Sequence, residues 1–172
     1  MDRVAEAVLT QAVVRRNDEI APEHFEMTLE MQSAFPRPEA GQFVMIRIAG
    51  GDVFLPRPFS VCAWEDSAPQ RLKILYRVVG KGTASLSRLE LGRSMAVTGP
   101  FGRGFSLPGG DRDVILVGGG IGMAPLLSLL HRCRETGGTR SGRLVVYAGA
   151  RTAAVLIGVA RAGECGALVR IS

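Results

Sequence analysis

Short apolar stretches, alternating or continuous and separated by glycine and proline, organise the first hundred positions. Val8 to Val14 is apolar and β-rich. His24 to Met31 alternates: Phe25, Met27, Leu29 and Met31 point one way, Glu26, Thr28 and Glu30 the other, as successive side chains of a strand do. Between the two, Asn17-Asp18-Glu19 and Ala21-Pro22-Glu23 carry turn residues. Pro36-Arg37-Pro38-Glu39-Ala40-Gly41 reads as a loop, Gln42 to Ile48 as a strand and Gly50-Gly51-Asp52 as a turn. Phe59 to Ala63, Leu72 to Val79 and Met95 to Thr98 follow as strands, the last closed by Gly99-Pro100. Six short strands at near-regular spacing predict a small, closed, antiparallel barrel. One helix interrupts them: Gly82-Thr83 opens it with Thr83 as cap, Leu86, Leu89 and Leu91 form its buried side, and Gly92 ends it.

At Gly109-Gly110-Asp111 the pattern changes. Asp113 to Val117 is a continuous apolar run of the kind buried on both faces of a parallel sheet, and Gly118-Gly119-Gly120-Ile121-Gly122 follows directly. Ala124 to Arg134 reads as a helix with Leu126, Leu127, Leu129 and Leu130 on its apolar side, Gly137-Gly138 stops it, and Leu144 to Ala148 is a second apolar strand. This is one β-α-β unit. The division is therefore an all-β barrel over 1–108 and an α/β, Rossmann-like unit over 109–172. Two strands with one or two helices leave a parallel sheet partly uncovered, since a complete domain of this type has about four to six strands. The chain reads as a fragment, or as a form whose bare surface a partner covers.

Composition narrows the function classes. The 172 residues are 47% apolar and 22% charged, ordinary for a folded globular protein. No run reaches the ~18 apolar residues of a membrane span, and the first residues, acidic and alternating, do not read as an export signal, so a cytoplasmic address is expected. Cys62, Cys133 and Cys165 are far apart and odd in number, which suits neither a disulfide framework nor a CxxC metal site. The net charge of +5 falls entirely after residue 100, yet no dense basic run with interleaved aromatics marks a nucleic-acid surface.

Four segments carry candidate chemistry. In Arg57-Pro58-Phe59-Ser60 an arginine fork suits a phosphate, a hydroxyl suits a ring heteroatom, and Phe59 offers a flat face; the same residues also suit a plain strand with an edge proline. Leu75-Tyr76-Arg77 leads through a glycine loop and Lys81 to Gly82-Thr83, where helix amides attract anions; this is equally the pattern of an ordinary strand-turn-helix link. Gly118 to Gly122 joins a strand to a helix that has Pro125 in its first turn, the geometry that lets a dinucleotide approach, although GGGIG is not the usual GxGxxG spacing. Gly149 and Arg151 follow the second parallel strand, where an arginine suits a ribose or phosphate or simply faces solvent. His24 and His131 have no triad partners and read as structural, and Cys62 reads as a small core residue.

Taken in order, RPFS, LYRVVGKGT, TGPFGRGF, LVGGGIGMAPL and VYAGART resemble the ferredoxin-reductase superfamily, and within it the electron-transfer subunits of two-subunit, NAD-linked dihydroorotate dehydrogenases. The resemblance covers nearly all of residues 5–152. It implies a flavin-binding, six-stranded antiparallel barrel followed by a nicotinamide-nucleotide domain, here incomplete. Carried over by residue, it implies that Arg57, Pro58, Phe59 and Ser60 hold FAD, with Arg57 on the phosphates and Ser60 near the isoalloxazine. Leu75, Tyr76 and Arg77 would line the nucleotide portion, and Gly82 and Thr83 would receive the pyrophosphate. Gly118, Gly119, Gly120 and Gly122 would floor the nicotinamide site, with Gly149 and Arg151 beside it. No side chain is implied to be catalytic: the flavin supplies the redox chemistry and the protein positions it. In the family, hydride passes between NAD(H) and FAD, and single electrons pass through a [2Fe–2S] cluster to the FMN of a dihydroorotate-oxidising partner in a hetero-oligomer of pyrimidine biosynthesis.

One departure stands out. The family holds its cluster with four cysteines in a C-terminal segment, whereas the residues after Thr152, AAVLIGVARAGECGALVRIS, do not resemble the family and offer Cys165 alone. The expectation is FAD binding, impaired NAD binding and no [2Fe–2S] cluster in this chain. The same motifs also suit an NAD(P)H-dependent flavin or ferredoxin reductase, or a redox subunit of a hydrogenase or sulfide-reducing complex. A third reading is a truncated flavin- or partner-binding module without turnover.

Overall fold

In the computed structural model, which describes residues 6–47, 55–107, 112–135 and 142–172, the first six strands close on themselves. β1 (Val8–Ala21), β2 (His24–Met31), β3 (Phe43–Arg47), β4 (Arg57–Glu65), β5 (Arg71–Arg77) and β6 (Ser94–Phe101) form a barrel in the order β1-β2-β5-β4-β3-β6. Every neighbouring pair is antiparallel. Inward residues fill it: Val14, Met27, Leu29, Val44, Ile46, Val61, Leu72, Ile74 and Val97 are fully buried. The helix α1 (Lys81–Ser87) caps one end through Leu86. The expected barrel is present.

Its details differ from the local sequence signals where strand pairing overrides them. Asn17-Asp18-Glu19 is not a turn but part of β1, since each of the three has a partner in β2, at Met27, Glu26 and Phe25. The hairpin turn is Pro22-Glu23, with Glu23 at φ 60°. Gly99-Pro100 does not end β6, which runs on to Phe101 because β1 pairs with Gly99 and β3 with Phe101. Helix α1 stops at Ser87, so Leu91 is 65% exposed instead of buried. The outer face of β2 is covered: Glu30 is buried between Arg15 (2.7 Å) and Arg71 (3.3 Å). The Arg15 hydrogen bond, with help from Arg71, holds the Glu30 carboxyl below its usual range. Ile48, the turn expected at Gly50-Gly51-Asp52, the boundary expected at 108/109 and the stop expected at Gly137-Gly138 lie outside the described residues.

The second sheet is parallel: β7 (Val114–Gly119), β8 (Leu144–Gly149) and β9 (Leu168–Ile171), side by side in that order. A third strand therefore follows the two expected, joined to β8 through a short helix, α3 (Val159–Glu164). Burial on both faces of β7 is not seen. Val114 and Leu116 are buried beneath α2 (Met123–Glu135), but Ile115 and Val117 are exposed. Both α2 and α3 contribute to a single apolar cluster that also takes in Ala40, Cys62 and Leu75 of the barrel. Arg37 adds an ion pair to Glu135 at 2.6 Å. The sheet unit's core thus extends onto the outside of the barrel, whose own core is separate.

Candidate functional site

β4 and β5 are paired only from Val61–Ile74 to Glu65–Arg71. Before that point, Arg57 to Ser60 pair with β3 alone; beyond it, Leu75 to Arg77 pair with β2 alone. The two strands part, and a cleft of about 600 Å³ opens where they diverge. This size is typical of a cofactor site. Its walls are Arg57, Pro58, Phe59 and Ser60 on one strand and Leu75, Tyr76 and Arg77 on the other, with Val79 to Thr83 at the start of α1. Nine expected site residues, Arg57, Pro58, Phe59, Ser60, Leu75, Tyr76, Arg77, Gly82 and Thr83, are thereby brought together.

The cleft is cationic and apolar. Arg57, Arg77 and Lys81 line it, and no carboxylate does so among the described lining residues. Arg57 donates to the Leu55 carbonyl at 2.9 Å. Arg77 makes a long contact to Glu23, 3.4 Å, and its Nε is buried without a hydrogen-bond partner among the described residues. A buried N–H of this kind is rare unless a ligand or water completes it. Leu55, Pro58, Phe59, Val79 and Ile121 supply flat apolar surface. The donor set fits a planar, anionic group of flavin dinucleotide type.

Two lining residues make further contacts, and one of them is not the helix cap expected. Tyr76 is almost fully buried, stacks on Phe25 at 5.4 Å and meets Phe59 edge-on at 6.0 Å. Its hydroxyl donates to Asn17 Oδ1 at 2.7 Å, and burial pushes that hydroxyl above its ordinary pKa. It is both part of the wall and anchored by these contacts. Thr83 is not the cap of α1; Gly80 holds that position. Thr83 Oγ1 instead accepts hydrogen bonds from the amides of Val79 (2.9 Å) and Gly80 (3.3 Å), which fixes the loop. Leu55, Val79, Gly80 and Ile121 were not among the expected site residues, and Lys81 was expected only as added charge beside the helix start. Of these, Lys81 alone has a readable signal, a cation beside a helix start.

The remaining expected residues sit at the C-terminal ends of β7 and β8. Gly119 pairs with Gly149, leaving bare backbone there. A Cβ at Gly118 would meet Leu126 Cδ1 at 2.7 Å, so this glycine lets α2 approach the strand; Gly120 has φ +52°, where glycine is favoured, and both it and Gly122 face open space. Arg151 is exposed just beyond. The glycine loop reaches the cleft through Ile121. The three cysteines are free; burial pushes the Cys62 thiol up to about 11, which removes it as a reactive thiolate. Among the described residues no three His, Cys, Asp or Glu side chains converge as metal ligands. No helix among the described residues is long and apolar enough to cross a membrane.

No family-level sequence model matches the chain. It is 44% identical over 124 residues to the dihydroorotate dehydrogenase B (NAD(+)) electron transfer subunit of Caldanaerobacter subterraneus subsp. tengcongensis, a match covering 72% of this chain and 47% of that protein. The chain spans about half the length of the curated relatives it matches. Among solved structures, it superposes on flavohaemoglobin from Malassezia yamatoensis, with bound FAD and haem, at a TM-score of 0.80 and 18% identity, covering 95% of this chain and 44% of that one. It superposes on an NADH-dependent reduced ferredoxin-NADP oxidoreductase at a TM-score of 0.78 and 27% identity, covering 93% and 55%. By sequence over 72% of its length this chain is similar to electron-transfer subunits of dihydroorotate dehydrogenase B, and in fold it is similar to flavin-binding reductases of the ferredoxin-reductase type.

Proposed function

We propose that the chain is the flavin- and nicotinamide-binding part of an electron-transfer subunit that links a dihydroorotate-oxidising FMN subunit to NAD in cytoplasmic pyrimidine biosynthesis. In this reading, residues 1–108 are the flavin-binding unit and 109–172 the nucleotide-binding unit. The observation that carries it is the cleft between the parted strands β4 and β5, in which the RPFS and LYR segments meet with three cations and no carboxylate among the described lining residues. The kinship with electron-transfer subunits supports the choice of partner.

The roles follow from the chemistry of each wall. Arg57, Arg77 and Lys81 hold the FAD phosphates, and the buried Arg77 Nε gains the acceptor it lacks. Ser60 hydrogen-bonds the ring system, while Phe59, Pro58 and Ile121 shield it from water. Gly82 and Thr83 shape the loop beside the pyrophosphate. Gly118, Gly119, Gly120, Gly122 and Gly149 leave room for a nicotinamide nucleotide, with Arg151 on its ribose or phosphate. When bound, the flavin supplies two-electron exchange with nicotinamide and one-electron release. An iron–sulfur relay, if the complete assembly uses one, is held by residues other than those described here.

The test is the purified chain with added FAD. Retained flavin absorbance, bleached by NADH under anaerobic conditions, and co-purification with a dihydroorotate-oxidising subunit are expected. A colourless chain that cannot be reconstituted overturns the reading. The likeness to the ferredoxin-NADP oxidoreductase, over 93% of this chain, favours a second reading, a ferredoxin-linked reductase. Co-purification with a ferredoxin, and not with a dihydroorotate-oxidising subunit, selects it.

A further inference from the structure

On the outer face of the barrel, Cys62 of β4 and Leu75 of β5 flank the point where those strands part, and Glu26 of β2 lies opposite Leu75. Arg161 of α3 is set over this point. Its guanidinium is paired with the Glu26 carboxylate, and its Nη1 lies 3.8 Å from Cys62 Sγ. One side chain of the sheet unit therefore spans three barrel strands behind the cleft. Ile121, carried by the glycine loop of the same unit, lines the cleft itself.

The path between these two contacts is tightly packed. Ala162, one residue beyond Arg161, is fully buried. Gly158, at φ +79°, caps α3, and a Cβ there would meet Leu127 of α2 at 3.1 Å. Arg134 of α2 donates to the Glu164 carbonyl of α3 at 3.3 Å. The glycine loop opens directly into α2. A displacement of α3 is thus passed to the loop, because close-packed interiors transmit strain. A half-buried ion pair of this kind fixes geometry more than it adds stability, and removing one partner leaves the other uncompensated.

We propose that Arg161 is a positioning residue: it clamps the sheet unit to the barrel behind the parted strands, and so holds the glycine loop against the cleft. The inference rests on the flavin reading of the cleft, and its test separates the two. Arg161→Met keeps the length and removes the charge; Arg161→Lys keeps the charge and loses the fork. In the FAD-loaded chain, Arg161→Met retains its flavin, but the limiting rate of flavin reduction by NADH falls at least about tenfold, the scale of a small misplacement. The NADH concentration at half-maximal rate rises as well, because the loosened loop is also part of the nucleotide site. Arg161→Lys recovers part of the rate.

A second measurement needs neither cofactor nor turnover. Amide hydrogen exchange at residues 118–122 is faster in Arg161→Met than in wild type, intermediate in Arg161→Lys, and unchanged in β1. If Arg161→Met does not fold, the lysine variant carries the comparison. Wild-type exchange at 118–122 with a wild-type reduction rate overturns the clamp. A wild-type chain that takes up no flavin overturns the reading of the cleft instead, and exchange at 118–122 still decides the role of Arg161.

Discussion

Arg57 and Arg77 enter the cleft from opposite walls in different states of engagement. Arg57 is turned back on the Leu55 carbonyl, whereas Arg77 has a buried Nε with no described partner. Both are poised for an anion: one by exchanging a weak local bond, the other by completing an unmet one. Arg57→Ala is expected to weaken FAD binding by ~1.5–3 kcal/mol, the scale of a hydrogen bond to a charged group, with Arg57→Lys recovering part of it. Fluorescence titration of FAD measures this, and an unchanged Kd removes Arg57 from the phosphates. Glu30 is one of the carboxyls through which pH acts, with Glu65 and Asp113. Its carboxyl is held below its ordinary value in the fold, chiefly by Arg15, so the folded state binds fewer protons than the unfolded chain. This contribution is present above the unfolded pKa, about 4.3, and is lost as pH falls through the lowered folded value. Glu30→Gln is expected to be less stable at pH 7 and to lose less stability on acidification. Equal acid slopes in denaturation series at pH 7 and in the acid range would show that Glu30 is not a source of that dependence.

Among the elements, α1 depends on its neighbours. Seven residues are too few for a helix to persist alone. Asn17 Nδ2 donates to the Leu86 carbonyl (3.0 Å) and reaches the Ser87 carbonyl (3.4 Å) at the helix end, while Asn17 Oδ1 accepts from Tyr76. One amide thus ties α1, β1 and β5 together at the edge of the cleft. Asn17→Ala and Tyr76→Phe are each expected to cost ~1–3 kcal/mol by leaving polar groups unmet, and the double variant less than their sum, since they share a bond. Strict additivity in thermal or denaturant unfolding disproves the shared network. This residue also marks where sequence reading stops. Asn17-Asp18-Glu19 has turn chemistry, and only its pairing with β2 makes it strand. The barrel was readable because alternation is a local property. RPFS and LYR were readable as a flavin site only through their resemblance, in order with the later motifs, to a known family; their side-chain types alone also suit a plain strand and an ordinary link. Asn17 and Arg161 were not, because their partners lie 59 and 135 residues away in the chain.

At the scale of the whole molecule, the described residues cover the parallel sheet on one face only. Ile115, Val117, Tyr147 and Leu168 are 63%, 75%, 45% and 45% exposed. The register places Ile115, Val145 and Leu168 in one row across the three strands, with Val117 beside Tyr147 in the next. That the sheet is partly bare was readable from the count of strands and helices, but which strand bears the open face was not: the continuous run Asp113 to Val117 reads as buried on both faces, and Ile115 and Val117 are exposed. Contiguous apolar surface of this kind drives association. The chain is therefore expected to self-associate with rising concentration and to bind a hydrophobic dye in its native state. Val117→Lys places a solvated charge in the middle of the face without touching the buried side formed by Val114 and Leu116. It is expected to lower both association and dye binding while leaving Tm and FAD uptake unchanged, because Val117 is not a lining residue of the cleft. Sedimentation velocity over a concentration series reads the first effect and dye fluorescence the second. A monomeric wild type that binds no dye would mean the face is covered in solution. A Val117→Lys chain that loses its flavin would mean that this face supports the cleft as well as the surface.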